Sequence, residues 1–271
     1  MNNGDDSEMM HQHLVKEHFS QESKVTAWTV SEEGLVSRRE HEYVLEQFSW
    51  DGKKVLDVGV GGGRFALPIS LRGADVYGVD LSLKMLQAVK IGAEKAGVEV
   101  GVYQADIDAL PFKDESFDIV LSMATIMYFP RPEKALLEMS RVVKPGGHVI
   151  IGTNNKLSVA WLGAIHTYLY HILKRKQATY RPYSPWQFRS FFEDTGLEIV
   201  QIKGIGLIFP ETSIPITKEI SIPIFPKLAS EWFLKNIEFR FELGKGPLSN
   251  FMKYMIAIST KKELNQSMRG W

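Results

Sequence analysis

The order of apolar and polar positions divides the chain into stretches with different rhythms. Up to Ser20 the residues are polar and acidic, with scattered His11, His13 and His18, and residues 1 to about 20 read as a mobile tail. From 21 to 50, Val36, Tyr43, Val44 and Phe48 recur at near-helical spacing, which predicts a helical lead-in. Short apolar runs then alternate with helical patterns. Lys54 to Val58 is a buried strand closed by glycines, and Phe65 to Arg72 is a helix ending near Gly73. Asp75 to Asp80 is a second strand. Ser82 caps a helix from Leu83 to Ala96 that stops at Gly97. Val98 to Gln104 and Phe117 to Ser122 are the third and fourth strands. Pro132 to Val143 is a helix, after which Lys144-Pro145-Gly146-Gly147 turns into a strand from His148 to Gly152. This rhythm predicts a doubly wound α/β fold, a mostly parallel sheet with helices on both faces.

Beyond Thr153 the pattern changes. Lys156 to Lys176 reads as an apolar, aromatic helix, and Ser184 caps another running to Thr195, with Pro185 at its start. Leu197 to Gly204 and Lys253 to Thr260 read as strands. Between them lies a Pro- and aromatic-rich insert, Gly206 to Asn250, with Phe209, Phe225, Trp232, Phe233, Phe239 and Phe241. The expected organisation is one domain over 21–262 with its core at 50–153. Lid insertions at about 156–183 and 206–250 would fold together as a mostly apolar acceptor pocket, and 263–271 would be a second tail. The two inserts could instead bury their apolar faces in a homodimer.

Composition narrows the classes. The 271 residues are 44% hydrophobic, enough for one sizeable domain. Lys plus Arg balances Asp plus Glu at 32 each, so no global field attracts a nucleic-acid backbone, and no nucleic-acid partner is expected. The absence of Cys excludes disulfides, thiolate nucleophiles and Cys-based metal sites. The longest apolar stretch, Leu157 to Leu173, is interrupted by His166 and His171 and falls short of the roughly 20 residues of a membrane span. The chain reads as cytoplasmic, without stable membrane insertion.

The central chemical signal is Asp57-Val58-Gly59-Val60-Gly61-Gly62-Gly63. A strand delivers the chain to a turn where glycine at 59, 61 and 63 allows positive φ and close approach of a ligand. The helix that follows presents free N–H groups to a carboxylate or phosphate. A dinucleotide fingerprint wants a small residue at the sixth position, where Arg64 stands. Asp80 ends the second strand, where a carboxylate can accept both hydroxyls of a ribose. Asp106 and Ile107 follow the third strand, placed to bond and pack an adenine, although Asp106 also suits a plain turn. An NAD-linked oxidoreductase on a similar sheet, or a non-catalytic module that binds the same ligand, stays open at this point.

The run from Val55 to Thr153 resembles the class I S-adenosylmethionine-dependent methyltransferases, especially the small-molecule branch that includes quinone-biosynthesis and related C- and O-methyltransferases. The resemblance is carried by Leu56 to Gly63, Gly78-Val79-Asp80-Leu81-Ser82, Ala105 to Phe112, Ser116 to Val120 and Val143 to Gly147, in the family's order. It implies a seven-stranded Rossmann-like fold and S-adenosylmethionine as cofactor. The implied reaction moves a methyl group by in-line displacement to a small, hydrophobic or aromatic acceptor, with no metal. It implies that Gly59 and Gly61, with Gly63, line the methionine part of the cofactor. Asp80, with Leu81 beside it, would hold the ribose, and Asp106 and Ile107 would read the adenine. Ser122 and Met123 would sit under the sulfonium. Asp57 resembles the acidic residue that helps position the methionyl ammonium. One departure stands out: where many relatives carry a histidine, five residues after Ser122, this chain has Met127. Arsenic-methylating relatives need cysteines, so that branch is excluded. For catalysis itself the candidates are His166, Tyr128 and Tyr183. His166 and His171 lie five apart, off a common helical face, so they do not read as a metal pair.

Overall fold

The computed structural model describes residues 13–17, 19, 35–157, 181–205, 213–215, 221–223 and 254–262. After a helical turn at 13–17 (α1) come α2 (Leu35–Glu46), β1 (Lys54–Val58), α3 (Ala66–Ser70), β2 (Asp75–Asp80), α4 (Leu83–Ala96), β3 (Val100–Gln104) and β4 (Phe117–Met123). A 3-10 turn (Ile126–Tyr128) leads to α5 (Pro132–Val142), β5 (Val143–Asn154), α6 (Pro185–Ser190) and β6 (Leu197–Ile205). A hairpin of β7 (Ser213–Pro215) and β8 (Ser221–Pro223) precedes β9 (Tyr254–Lys261). All but the first two residues of the expected helix over Lys156–Lys176, with His166, and most of the insert 206–250 lie outside the described residues.

The main sheet has seven strands in the order β3-β2-β1-β4-β5-β9-β6. The first five run parallel, whereas β9 is antiparallel to both β5 and β6. Strand order reverses between β1 and β4, so their C-terminal ends leave a crevice with no connection across it, the usual ligand position in such sheets. The central strands are buried on both faces: Val55, Leu56, Val58, Val120, Leu121, Val149 and Ile150 have essentially no exposure. That is why they read as continuous apolar runs rather than alternating ones. Among the described residues no helix is long and apolar enough to cross a membrane.

Local signals account for most boundaries. Ser82 caps α4 by accepting the Met85 N–H, and Gly97 ends it in the left-handed conformation at φ 67°. Ser184 forms a reciprocal cap with Gln187, as its position before Pro185 predicts. That helix is shorter than the expected run to Thr195. It stops at Ser190, and the chain then turns through Asp194 (φ 59°) and Gly196 (φ 74°) into β6. The segment 144–147, expected as a turn ahead of a strand, is part of β5. While β4 advances from Phe117 to Ile119, β5 advances from Val143 to His148, so the Pro-Gly-Gly run bulges out of the ladder.

The N-terminal region departs furthest from expectation. Val15 and Phe19, read as part of a tail, pack on the body: Val15 is 5% exposed and the Phe19 ring meets Tyr128 edge-on at 4.9 Å. The physical reason is that Val15 and Phe19, four residues apart, share one side of a helical turn, too short a pattern to register as amphipathic in sequence.

Gly147 tests the bulge. A Cβ there would lie 2.8 Å from the Asp118 carbonyl oxygen and 2.9 Å from that of Lys144. Both obstacles are backbone, so Gly147→Ala is expected to destabilise the fold by about 1–3 kcal/mol. Urea denaturation measures this, and a variant as stable as the parent would show that the bulge can move.

Candidate active site

The crevice at the switch point is built by four short segments. The first is the loop leaving β1, with Gly59 at φ 77°, Gly61 at 52° and Gly63 at 87°. The Gly59 and Val60 N–H groups both donate to the Val79 carbonyl, at 2.8 and 2.9 Å, which folds the loop against the end of β2. The second segment is that strand end. One Asp80 carboxylate oxygen accepts the Gly61 N–H at 3.0 Å and the other accepts the Ser82 N–H at 2.8 Å. Burial raises the Asp80 pKa, and the backbone N–H groups of Ser82, Gly61 and Leu81 oppose that rise. An ionised carboxylate has about four acceptor positions, so Asp80 holds the loop and keeps capacity for further donors.

The third segment follows β4. Met123, Ala124 and Thr125 line the crevice, and Ala124 sits at φ 58°, a left-handed conformation uncommon for a residue with a side chain. The Thr125 hydroxyl is 3.2 Å from the Met123 carbonyl and 3.4 Å from that of Gly59, fastening this turn to the glycine loop. The fourth segment is residues 15, 16 and 19. Together with Leu81, Ser82, Met85, Ile107, Tyr128 and Phe129, the four segments line one pocket open to solvent.

Of the residues singled out in the sequence, Gly59, Gly61, Asp80, Leu81, Ile107, Met123 and Tyr128 line this pocket. Asp57, Gly63, Asp106, Ser122 and Tyr183 stand back from it. Successive strand side chains alternate, so Ser122 and Met123 cannot both face the ligand. Ser122 is fully buried and donates to the Val58 carbonyl at 2.9 Å, joining β4 to β1 behind the wall. Asp106 accepts the Asp108 N–H at 3.2 Å, closing its own turn. Gly63 packs on Leu67. The Tyr183 hydroxyl lies between the Ile126 and Phe129 carbonyls, at 3.4 Å from each, and burial pushes its pKa up to about 12. A phenol so held does not deprotonate near neutral pH. Met127 is buried, with the Asn154 amide 3.6 Å from its sulfur, so no base stands there.

Ser82, Met85, Thr125, Phe129 and the 15–19 segment were not foreseen as part of the pocket. Ser82 was identified only as a helix cap. Thr125 carries no motif, because its place follows from the unusual turn at Ala124.

Two buried charge clusters sit beneath the loop. Asp57 is 2% exposed, and burial pushes its carboxyl up to about 7; Arg64 opposes the shift, Asp80 adds to it, and the Ala66 N–H that it accepts opposes it. Arg64, the odd sixth residue of the glycine motif, points away from the ligand side. It makes a bidentate ion pair with Glu40 of α2, both bonds at 2.9 Å, and its guanidinium lies 4.5 Å from the Phe65 ring centre. The His41 ring completes the joint through the Arg64 carbonyl at 2.8 Å. Among the described residues no group of three His, Asp or Glu could hold a metal ion.

A parallel sheet with a glycine loop at its switch point, and a carboxylate closing the neighbouring strand, defines a protein that binds a nucleoside-containing cofactor. The sequence profile of the methyltransferase domain family matches residues 56–151. A ubiquinone biosynthesis O-methyltransferase of Pseudomonas putida is 32% identical over 184 residues, which cover 66% of this chain and 77% of that one. One from Cupriavidus pinatubonensis is also 32% identical over 158 residues, and there the match spans 57% of this chain and 64% of the relative. Among solved structures, magnesium protoporphyrin IX methyltransferase from Synechocystis with bound S-adenosylhomocysteine superposes with a TM-score of 0.60 at 15% identity, covering 93% of this chain and all of that one. The chain belongs to the class I S-adenosylmethionine-dependent methyltransferases, in their small-molecule branch. S-adenosylmethionine is its cofactor, and the pocket fits it: a Cβ on Gly61 would point into open space, the kind of cradle a bulky ligand fills.

Two predictions follow from this geometry. A Cβ on Gly59 would run into the Thr125 side chain, whereas one on Gly61 would meet nothing within 4 Å. Gly59→Ala is therefore expected to lower stability by roughly 2–4 kcal/mol, combining left-handed strain with the collision. Gly61→Ala should cost only about 1–2 kcal/mol and should abolish cofactor binding; melting curves and calorimetry on the two variants separate these effects. Asp57 gives a pH dependence. Its pKa is about 7 in the folded protein against an ordinary 3.8, so the folded state holds a proton that the unfolded chain has released. Its contribution to stability is full below about pH 4 and lost as pH rises through 7. The melting temperature of the ligand-free protein should fall from pH 5 to pH 8, and Asp57→Asn should flatten that fall.

Proposed function

We propose that the chain transfers the methyl group of S-adenosylmethionine to a small, hydrophobic or aromatic acceptor, with an acceptor oxygen as nucleophile. The observation that carries this reading is the make-up of the pocket. Its lining joins backbone and a carboxylate (Gly59, Gly61, Asp80) to apolar and aromatic side chains (Met123, Phe19, Tyr128, Phe129). Oxygen is favoured as acceptor atom because the two relatives above are O-methyltransferases.

When bound, S-adenosylmethionine supplies a methyl group already activated by its sulfonium sulfur. The chain's part is then to bind, orient and exclude water. In this reading the backbone of Gly59 and Gly61 lines the methionine part. Asp80 holds the ribose, with Leu81 alongside. Ile107 packs on the adenine, with Asp106 shaping the turn behind it. Met123 faces the reacting centre, so that acceptor, methyl and sulfur line up for in-line displacement. Asp57 sits under the methionyl end, where its carboxylate supports a cationic ammonium. Gly63 and Ser122 serve as supports behind the wall. Tyr128 is the one catalytic candidate whose side chain lines the pocket among the described residues, and it is read as orienting the acceptor hydroxyl. His166 lies outside the described residues and stays a candidate for general base. The lid role of 156–183 and 206–250, within a single domain over 21–262, is part of the same proposal.

Asp80→Ala tests the cofactor end. Loss of charge-assisted hydrogen bonds of about 1.5–3 kcal/mol should lower affinity for S-adenosylmethionine at least tenfold. Because Asp80 also holds Gly61 and Ser82, the ligand-free melting temperature should drop, by about 2–4 °C per kcal/mol lost. Calorimetry with unchanged affinity would place the ribose elsewhere. The acceptor end is tested by incubating the full chain with S-adenosylmethionine and a panel of phenols and catechols, and measuring S-adenosylhomocysteine. Tight cofactor binding with no turnover on any of them would favour a binding module.

A further inference from the structure

Behind the Met123–Thr125 turn, four parts of the chain meet in one buried joint. Glu40 comes from α2, Arg64 from the end of the glycine loop, Tyr254 from the start of β9 and Ala124 from the turn itself. Glu40 and Tyr254 are both buried. The Tyr254 hydroxyl faces the Glu40 carboxylate and the Ala124 N–H without closing a hydrogen bond of good geometry to either. Burial pushes its pKa well above the ordinary phenol value; the Glu40 carboxylate adds to the rise, and Arg64 and the Ala124 N–H oppose it. A buried hydroxyl in that position is costly, and its retention calls for a reason.

Gly152 of β5 shows how close the joint comes to the pocket. A Cβ there would lie 2.5 Å from the Met123 Cε and 2.6 Å from the Tyr254 Oη. The thioether methyl and the hydroxyl therefore sit side by side over a residue with no side chain to part them. Met123 lines the pocket and Tyr254 does not, so Tyr254 stands behind Met123. The Ala124 turn is left-handed (φ 58°), and such a backbone persists only where its surroundings over-determine it. Its N–H donates to the Gly152 carbonyl at 2.9 Å, which fixes the turn to the same residue.

We propose that Tyr254 is a positioning residue for methyl transfer, its hydroxyl propping Met123 and the Ala124 turn against the reacting centre from behind. This rests on the reading that Met123 faces that centre. Protein interiors are close-packed, so loss of one oxygen beside a flexible thioether leaves a gap into which the thioether moves. The transferred methyl group then loses a contact, while the adenosine and methionine parts of the cofactor keep theirs. S-adenosylmethionine feels the change, and S-adenosylhomocysteine, which lacks that methyl, does not. Glu40 and Tyr254 both lie outside the stretch matched by the family profile, so parts of the chain beyond the shared cradle set the placement of its reacting end.

The two ligands are the probes. Their affinities for the full chain and for Tyr254→Phe, Met123→Ala, the double variant and Glu40→Gln are measured by calorimetry, and the ratio of the two affinities is the readout. A merely structural loss weakens both ligands alike and leaves the ratio unchanged. Tyr254→Phe should shift the ratio against S-adenosylmethionine by about fourfold, the contribution of one buried methyl contact, with S-adenosylhomocysteine bound nearly as in the parent. Met123→Ala should shift it in the same direction, and the double variant should shift it no further, because the two residues act through one contact. A parent ratio in Tyr254→Phe, or shifts that simply add in the double variant, would overturn the proposal. A parent ratio in Met123→Ala would overturn the reading of Met123 and this proposal together, whereas a shift in Met123→Ala alone removes only the proposal. Should Tyr254→Phe fail to fold, Glu40→Gln decides on the same ratio: it keeps the residue's size and takes away the charge facing the hydroxyl, and an unchanged ratio there overturns the proposal.

Discussion

The site depends on one carboxylate. Asp80 closes β2 and accepts two backbone N–H groups, from Gly61 across the crevice and from Ser82 at the head of α4. The glycine loop has few ways to hold itself, because residues at positive φ give up the regular ladder. Its N–H groups must find acceptors elsewhere, and the Val79 carbonyl and the Asp80 carboxylate supply them. The loop, the start of α4 and the pocket floor are thereby fixed relative to one another before any ligand arrives. Such preorganisation lowers the ordering cost of binding.

Below this floor the molecule tolerates charges that burial disfavours. Asp57 is held near neutrality by its surroundings, with its carboxyl at the N-terminus of α3. Arg64 is paired twice to Glu40, which draws α2 onto the loop although α2 lies outside the stretch matched by the family profile. A buried ion pair adds little net stability, but removal of one partner strands the other. The pair therefore acts as a register device, allowing one placement of α2 against the sheet. The arginine that spoiled the dinucleotide pattern is explained by this joint.

Chemistry and enclosure are separable here. The glycine loop, Asp80 and the turn at Met123–Thr125 form a cradle made by strand ends, common to the sheet architecture. Aromatic residues from elsewhere, Phe19 and the Tyr128–Phe129 turn, roof it.

What the sequence determined by itself was the sheet, its helices and the cradle. Glycines after a strand, Asp80 at the end of the next, and Ser82 and Gly97 bounding α4 act through neighbours close in the chain, so local pattern sufficed to read them. The roof was decided only by tertiary structure. Phe19 gains its meaning from Tyr128 and Ser82, more than sixty residues away, and nothing in the sequence around it announces that contact. Ser122, expected under the sulfonium, and Tyr183, a catalytic candidate, spend their hydroxyls on carbonyls of β1 and of the turn after β4. Which face a side chain takes depends on strand alternation and on the partners it meets across the fold. Only the folded chain brings those partners within hydrogen-bonding distance.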